Sequence, residues 1–381
     1  MKVGIVCPYN YFRPGGVQEC IRELAKELTR RGHDVKVIVP RPRIVPEKID
    51  QNIIMIGGST ELNTPFATKA DVGMSISNER IDQLFETEQF DILHVHEPGI
   101  PMLGAQLLGR SNTANIATMH ASLPGGMVSK SFEKIMTPFA KYIEPRLHGI
   151  TAVSLVSMQT ALAYVPDADV DIIPNGINLQ TYTPAHKIKS SSNSKKKTIV
   201  YIGRLEKRKG VRYLIDAYAL LRKTHSDISL IIAGDGKLRT GLEARVKKYE
   251  IPDVSFVGFI SEKKKIKLLQ TADIYCSPAL YGESFGIVLL EAMAAECVVV
   301  CGNNPGYSSV MKNKGQLSLV NPLHATEFAQ RLEMMLYDKQ IRELWLAWAH
   351  SYVQQFDYPI VVDKYIASYK KAIKNYKKSM L

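Results

Sequence analysis

Lys2 to Cys7 is a continuous apolar run of strand length, and the chain then turns through Pro8 to Gly16. Apolar positions return at helical spacing, Val17, Cys20, Ile21, Leu24, Ala25 and Leu28, until Gly32 can end the helix. Val35-Lys36-Val37-Ile38-Val39 is again a strand pattern. Together these form a strand, helix, strand unit of about 40 residues, the building block of a parallel doubly wound sheet. Further apolar runs predict strands at Ile53 to Ile56, Asp91 to Val95, Ile116 to Met119, Ile150 to Val153 and Asp171 to Ile173.

The alternation stops at Lys187 to Lys197, a serine- and lysine-rich stretch that cannot bury a core and reads as a linker. It then restarts. Thr198 to Ile202, the loop from Gly203 and a helix beginning near Val211 repeat the order of the N-terminus, and strands follow at Ser229 to Ala233, Val254 to Val257 and Ile274 to Ser277. The pattern predicts two Rossmann-like α/β domains, 1–182 and 198–360, joined by a linker at 183–197 and followed by a C-terminal helix at 361–381. That helix sets Ile366, Tyr369, Ile373, Tyr376 and Met380 on one face. Lys364, Lys370, Lys371, Lys374, Lys377 and Lys378 are distributed around it. Such a helix can dock on a domain with a solvated basic side, and can also meet anionic membrane lipid.

Composition narrows the class. A chain of 381 residues with 45% hydrophobic and 23% charged positions suits a soluble two-domain protein. The apolar start runs into Pro8 within a few residues, which fits neither a secretory signal nor a membrane span. Five cysteines without paired metal spacing suit reduced thiols in the cytoplasm, as small core residues. The net charge of +12 implies an anionic partner. With no zinc-finger or RNA-recognition motif and no aromatic-basic platform, that partner is not expected to be nucleic acid.

Candidate chemistry concentrates at strand ends. Gly282-Glu283-Ser284-Phe285-Gly286-Ile287 leads into an almost wholly apolar helix that carries Glu291. Two acids eight apart at the entrance of a buried helix are costly to desolvate. Either they face a polar cleft where ligand hydroxyls satisfy them, or Glu283 caps the helix and Glu291 pairs with a nearby base. The helix N-terminus would also attract phosphate. Gly203-Arg204-Leu205-Glu206-Lys207-Arg208-Lys209-Gly210 follows a strand, so Arg204 and Lys209 can sit at the carboxyl edge of the sheet and hold a diphosphate, whereas Lys207 and Arg208 read as a solvated face. Pro14-Gly15-Gly16-Val17 opens a helix whose backbone N–H groups can approach phosphate. It lacks the G-x-G-x-x-G spacing of a dehydrogenase. His120, after its strand, and Glu97 in His94-Val95-His96-Glu97-Pro98 stand where either could contact a sugar, with a structural role equally open for the histidines. Asp167-Ala168-Asp169 resembles a metal-binding Asp-x-Asp but lies in a turn after Pro166, where aspartates bond locally.

Together these pieces resemble the two-domain glycosyltransferases of family 4, for which the Glu-x7-Glu pair, here Glu283 and Glu291, is a hallmark. Cys7-Pro8-Tyr9, Pro14 to Gln18, His94 to Pro98, Pro174-Asn175-Gly176 and the unbroken Gly282 to Ala295 look most similar to bacterial phosphatidylinositol alpha-mannosyltransferases. The resemblance implies the GT-B fold: two Rossmann-like domains facing across a deep cleft, the C-terminal helix crossing back to the first. It implies a retaining hexosyltransferase that needs no divalent metal or cofactor, with GDP-mannose as donor and an anionic membrane lipid as partner and acceptor, working peripherally on the inner face of the cell membrane.

By the same resemblance Gly16 touches the donor phosphates, Arg204 and Lys209 hold the diphosphate, and Glu291 binds the ribose. Val257, Gly258 and Phe259 receive the nucleobase. Ser284, Phe285, Gly286 and Ile287 line the donor beside Glu283, and Tyr9, Glu97 and His120 meet the acceptor, His120 and Glu283 also contacting the transferred sugar. The resemblance favours attack on the leaving-group face, with a short-lived covalent intermediate as the alternative.

Three positions depart from the family pattern. Asn78 to Glu86 is mixed to acidic where lipid-modifying relatives carry a basic helix, Phe12 replaces an acid, and Glu296 replaces a glycine. Lys130, Phe132, Lys134, Ile135, Met136, Phe139, Lys141 and Tyr142 offer another membrane-facing stretch. Competing classes are a UDP-sugar enzyme acting on diacylglycerol or a saccharide, a nucleotide-sugar epimerase, and a non-catalytic binding module.

Overall fold

The structure, a computed structural model, describes residues 1–63, 69–74, 77–98, 103–121, 138, 140–184 and 196–381. Most of the expected linker and most of the stretch from Lys130 to Phe139 lie outside the described residues. The chain divides into two compact units, Met1–Gly176 with Tyr358–Leu381, and Ile177–Asp357.

The first unit is built on a parallel sheet of β1 (Lys2–Val6), β2 (Asp34–Pro40), β3 (Ile53–Ile56), β6 (Ile92–His96), β7 (Ala114–Met119), β8 (Gly149–Ala152) and β9 (Val170–Ile172). Its order is β3-β2-β1-β6-β7-β8-β9. Between β3 and β6 the chain adds an antiparallel hairpin, β4 (Gly58–Asn63) and β5 (Lys69–Met74), which the sequence reading does not anticipate. Gly-Ser-Thr-Glu-Leu-Asn and Lys-Ala-Asp-Val-Gly-Met carry too few apolar residues to announce a strand.

The second unit holds β10 (Lys197–Ile202), β11 (Ile228–Ala233), β12 (Val254–Gly258), β13 (Ile274–Ser277), β14 (Val298–Gly302) and β15 (Leu319–Val320), in the order β12-β11-β10-β13-β14-β15. β14 escapes sequence reading because the apolar helix Ile287–Ala294 runs into it with a single exposed residue, Glu296, between. In each sheet the chain winds outward to one side of its first strand and then returns to the other. This reversal falls between β1 and β6, and between β10 and β13. In open α/β sheets, ligands bind outside the carboxyl ends of the strands at that reversal.

The C-terminal helix, Tyr358–Ser379, belongs to the first unit. Its Tyr358, Val361, Val362, Tyr365, Tyr369 and Ala372 join one buried cluster with Val3 and Ile5 of β1 and with Ile21, Leu24 and Leu28 of the helix Gly16–Arg30. Burial of each such aliphatic side chain contributes about 1.5–3 kcal/mol. The buried face is therefore rotated from the one read in sequence. Ile366, Ile373 and Tyr376 sit at its margin and Met380 is exposed, because the aromatic rings of Tyr365 and Tyr369 fill the deepest space.

Polar contacts fix the seam. Glu27 accepts hydrogen bonds from Arg30 and Arg31, and Arg31 also pairs with Asp363 and donates to the Pro359 carbonyl at 2.6 Å. Lys371 sits 2.9 Å from Asp169 and 3.3 Å from Asp171, so Asp169 of the Asp-x-Asp serves as a surface anchor for the helix. Gly32, at φ 80°, ends the first helix as expected, and all five cysteines are buried. No helix among the described residues is long and apolar enough to cross a membrane.

Candidate active site

At the mouth of the second sheet two loops meet, one leaving β10 and one leaving β13. Gly210 turns at φ 70°, and a Cβ there would fall 2.0 Å from the Pro278 carbonyl oxygen, so only glycine lets the loops touch. Leu280 N–H donates to the Arg208 carbonyl at 2.8 Å, and Gly306 packs its backbone against the Glu283 carbonyl.

These contacts set Glu283 between two cations. Its Oε1 accepts from Arg208 Nη1 at 2.7 Å and lies 2.8 Å from Lys209 Nζ. Arg208 also reaches Glu206 Oε2 at 3.1 Å, and Arg204 reaches Glu206 Oε1 at 3.0 Å. Arg208 is thus no solvated residue. Its side chain is 11% exposed, against 55% for Arg204, because the loop curls it under Gly282. Burial pushes the Glu283 carboxyl up, but the charges of Lys209 and Arg208 and their hydrogen bonds outweigh it and hold the group below its ordinary value. Three cations face two carboxylates here, leaving positive charge for an anion. Glu283 is not the helix cap. That place belongs to Gly286, at φ 107°, which brings no side-chain hydrogen bond to the first N–H groups of the helix.

Glu291 is satisfied differently. Its Oε1 lies 2.9 Å from the Tyr182 hydroxyl and 2.7 Å from Lys265 Nζ, while Oε2 is buried with no partner among the described residues. Tyr182 and Lys265 also meet Glu262, at 2.6 and 2.8 Å. Pairing with a base therefore occurs, yet half of the carboxylate is left for a donor from outside. Burial raises the Glu291 carboxyl despite Lys265 and Tyr182, so the two acids of the Glu-x7-Glu pair are displaced in opposite directions. Val257 and Gly258 close β12, Gly258 at φ 66°, and Phe259 is 78% exposed beyond them. Ser284 and Ile287 are half-buried, whereas the Phe285 ring is core, packed edge-on against Phe356 at 5.9 Å.

At the mouth of the first sheet three uncharged imidazoles gather around a single carboxyl group. Glu97 follows β6 at φ 50° and accepts backbone hydrogen bonds from His120, which follows β7, and from Ala121 at 2.6 Å. His96 Nδ1 and His120 Nε2 are 2.8 Å apart, with their ring planes inclined by 25°. His94 lies between the Tyr369 hydroxyl at 2.8 Å and Thr118 Oγ1 at 2.6 Å, its ring tilted against that of His96 with centroids 4.2 Å apart. Burial lowers His94 and His120 to about 3 and His96 well below its usual value, so all three rings are uncharged at neutral pH. Burial also raises Glu97 to about 7, against two backbone N–H groups that favour its ionised form. Tyr9 is half-buried nearby, its hydroxyl pushed up by burial and by Glu97. Gly16 is exposed at the start of the first helix, where Gly15 brings no side-chain cap.

Arg204, Lys209 and Glu283 are brought into one network, and Glu97, His96 and His120 into another. Among the described residues, Val257 and Phe259 have no hydrogen bond or ion pair to either glutamate of the pair. Sequence reasoning misses Arg208, Tyr182, Lys265 and Glu262. Arg208 and Lys265 sit inside lysine and arginine runs that look solvated, and a lone tyrosine gives no signal at all.

Residues 14–181 match the model of Glycosyltransferase Family 4, and residues 183–347 match Glycosyl transferases group 1. The phosphatidyl-myo-inositol mannosyltransferase of Mycobacterium tuberculosis is 29% identical over 382 residues, covering 97% of each chain. Among solved structures, sucrose-phosphate synthase from Thermosynechococcus elongatus superposes with a TM-score of 0.75 at 18% identity, over 97% of this chain and 98% of that one. Anabaena HepE in complex with UDP and glucose gives 0.73 at 18% identity, over 97% and 99%. With both halves matched in tandem and the fold shared over nearly the whole length, the chain belongs to the family 4 glycosyltransferases and has the GT-B fold.

Proposed function

We propose that the protein transfers mannose from GDP-mannose to an inositol-bearing membrane lipid such as phosphatidylinositol, with retention of configuration and without a divalent metal. The observation that carries the transferase reading is Glu283, held ionised between Arg208 and Lys209 where the second sheet reverses direction. The sugar-phosphate bond breaks heterolytically, positive charge grows on the sugar, and Arg204, Arg208, Lys209 and the uncapped helix N–H groups stabilise the departing diphosphate. These cations do the work a metal does in other nucleotide-sugar enzymes.

Glu291 Oε2 accepts a ribose hydroxyl, Val257 to Phe259 take the base, and the backbone of Gly16 serves the donor phosphates. Tyr9, Glu97 and His120 serve sugar and acceptor. The inositol lipid is supported by the activity for which the mycobacterial relative is named. Membrane contact is supported by exposed Lys370, Lys374, Lys377 and Lys378 on the C-terminal helix, whose neighbour Lys371 is engaged by aspartates. On this reading the enzyme works at the cytoplasmic surface of the cell membrane.

The test is a donor panel of GDP-mannose, UDP-glucose, UDP-galactose and UDP-N-acetylglucosamine with phosphatidylinositol or diacylglycerol vesicles, in EDTA, read by mass spectrometry with a Glu283→Ala control. Mannosyl-phosphatidylinositol made only by the intact protein is the expected result. A different lipid-linked hexose would overturn the donor or acceptor. An altered sugar nucleotide without acceptor would indicate an epimerase, and donor binding without any product would overturn catalysis.

A further inference from the structure

His96 and His120 face each other through Nδ1 and Nε2, 2.8 Å apart, in surroundings that keep both rings uncharged. Two neutral imidazoles at that distance must share one proton, one ring donating and the other accepting. If His120 Nε2–H donates, His96 carries its own proton on Nε2. That atom is buried and has no partner among the described residues, so a whole N–H group would be stranded. If His96 Nδ1–H donates instead, Nε2 is a bare lone pair. Stranded buried N–H groups are rarer and costlier than under-used acceptors.

We infer that His96 is a positioning residue that fixes His120 in the Nδ1–H tautomer, so that His120 offers its substrate a hydrogen-bond donor and not a proton acceptor.

The surroundings leave His96 little freedom. It is fully buried, its ring lies against His94 with centroids 4.2 Å apart and meets His120 edge to edge through Nδ1, and His94 is itself held by Tyr369 of the C-terminal helix and by Thr118. The hydrogen bonds of His94 run to these two hydroxyls and to neither of the other rings, so the choice at His120 is made by His96. With Nε2 occupied in accepting, His120 carries its proton on Nδ1 and is unsuited to act as a general base. It suits an electron-rich oxygen of the sugar. The assignment of a substrate to His120 rests on the proposed transferase function, whereas the tautomer does not.

The experiment is long-range 1H–15N spectroscopy of the full chain labelled with 15N-histidine, without ligand, with signals assigned through His96→Asn and His120→Asn. His120 is expected to show a protonated Nδ1 and an unprotonated Nε2. A protonated Nε2 on His120 overturns the inference. In kinetics, His96→Asn, whose amide keeps a donor near the Nδ1 position, should retain kcat within about threefold, and His96→Phe should lose about tenfold or more at equal melting temperature. Equal activity of the two variants also overturns it. A protonated Nδ1 in a protein that turns over no donor would uphold the tautomer and defeat the functional reading.

Discussion

At the carboxyl edge of the first sheet the side chains are neutral imidazoles packed out of water, whereas at the same edge of the second they are guanidinium, ammonium and carboxylate groups held in pairs. The two sheets share one winding order and differ in the loops that leave their strands. Topology makes the place in both cases. The residues there make one edge suited to hydroxyls, through oriented dipoles, and the other to anions, through fixed charge.

The contrast breaks most visibly at Glu283. Glu283→Gln should lower kcat by about 10²–10³-fold, measured by steady-state kinetics on protein whose folding is verified by circular dichroism. Retention of kcat within threefold would mean the charged edge is merely structural. Next in size is an opposite pH response of the two edges. Glu97 is raised from 4.5 to about 7 by burial, so between those values the folded protein keeps a proton that the unfolded chain has released. Stability therefore falls as pH rises through that window, by about 3 kcal/mol in all, with the penalty absent below it and complete above it. Glu283, being lowered, contributes stability above its ordinary value that is lost as pH falls through the depressed one. Urea melts of wild type and Glu97→Gln at pH 5 and pH 8 should show the wild type gaining on the variant at pH 5, and the reverse order would contradict the assignment.

A smaller effect is expected at Tyr182, which steadies Oε1 of Glu291 while Oε2 stays open. Tyr182→Phe should raise the donor KM about tenfold with kcat within twofold, equivalent to about 1.4 kcal/mol of binding. A change confined to kcat would place Glu291 outside donor recognition.

The smallest separates backbone strain from chemistry. Glu97 and Glu296 both sit at positive φ, 50° and 58°, but Glu296 is exposed at the end of a helix where the family pattern has glycine. Glu296→Gly should add about 1 kcal/mol of stability and leave kcat unchanged. A thermal melt decides it.

Much of this architecture is legible in the pattern of the chain. Apolar runs of strand length at Lys2, Val35, Ile53, Ile199 and Ile274, and the 3.6-residue stripe from Val17 to Leu28, correspond to elements of the structure because a buried strand or helix face must be apolar at its own period. The hairpin β4 and β5 has no such stripe, and β14 is hidden because helix and strand are equally apolar across Ile287 to Cys301. The glycines at 210 and 286 mark turns that the sequence punctuates.

The amino-acid sequence alone determined two α/β halves, the acidic pair eight residues apart, and the strand-end positions of His120 and Glu97, since all of these are local in the chain. Tertiary structure decided which cation of a charged run turns inward, as Arg208 does toward Glu283, 75 residues away, and that Tyr182 reaches Glu291 across 109 residues. It also decided which face of the C-terminal helix is buried. Charge runs carry no period that separates a buried member from a solvated one, and a hydrogen bond between distant residues exists only once the fold has brought donor and acceptor within about 3 Å.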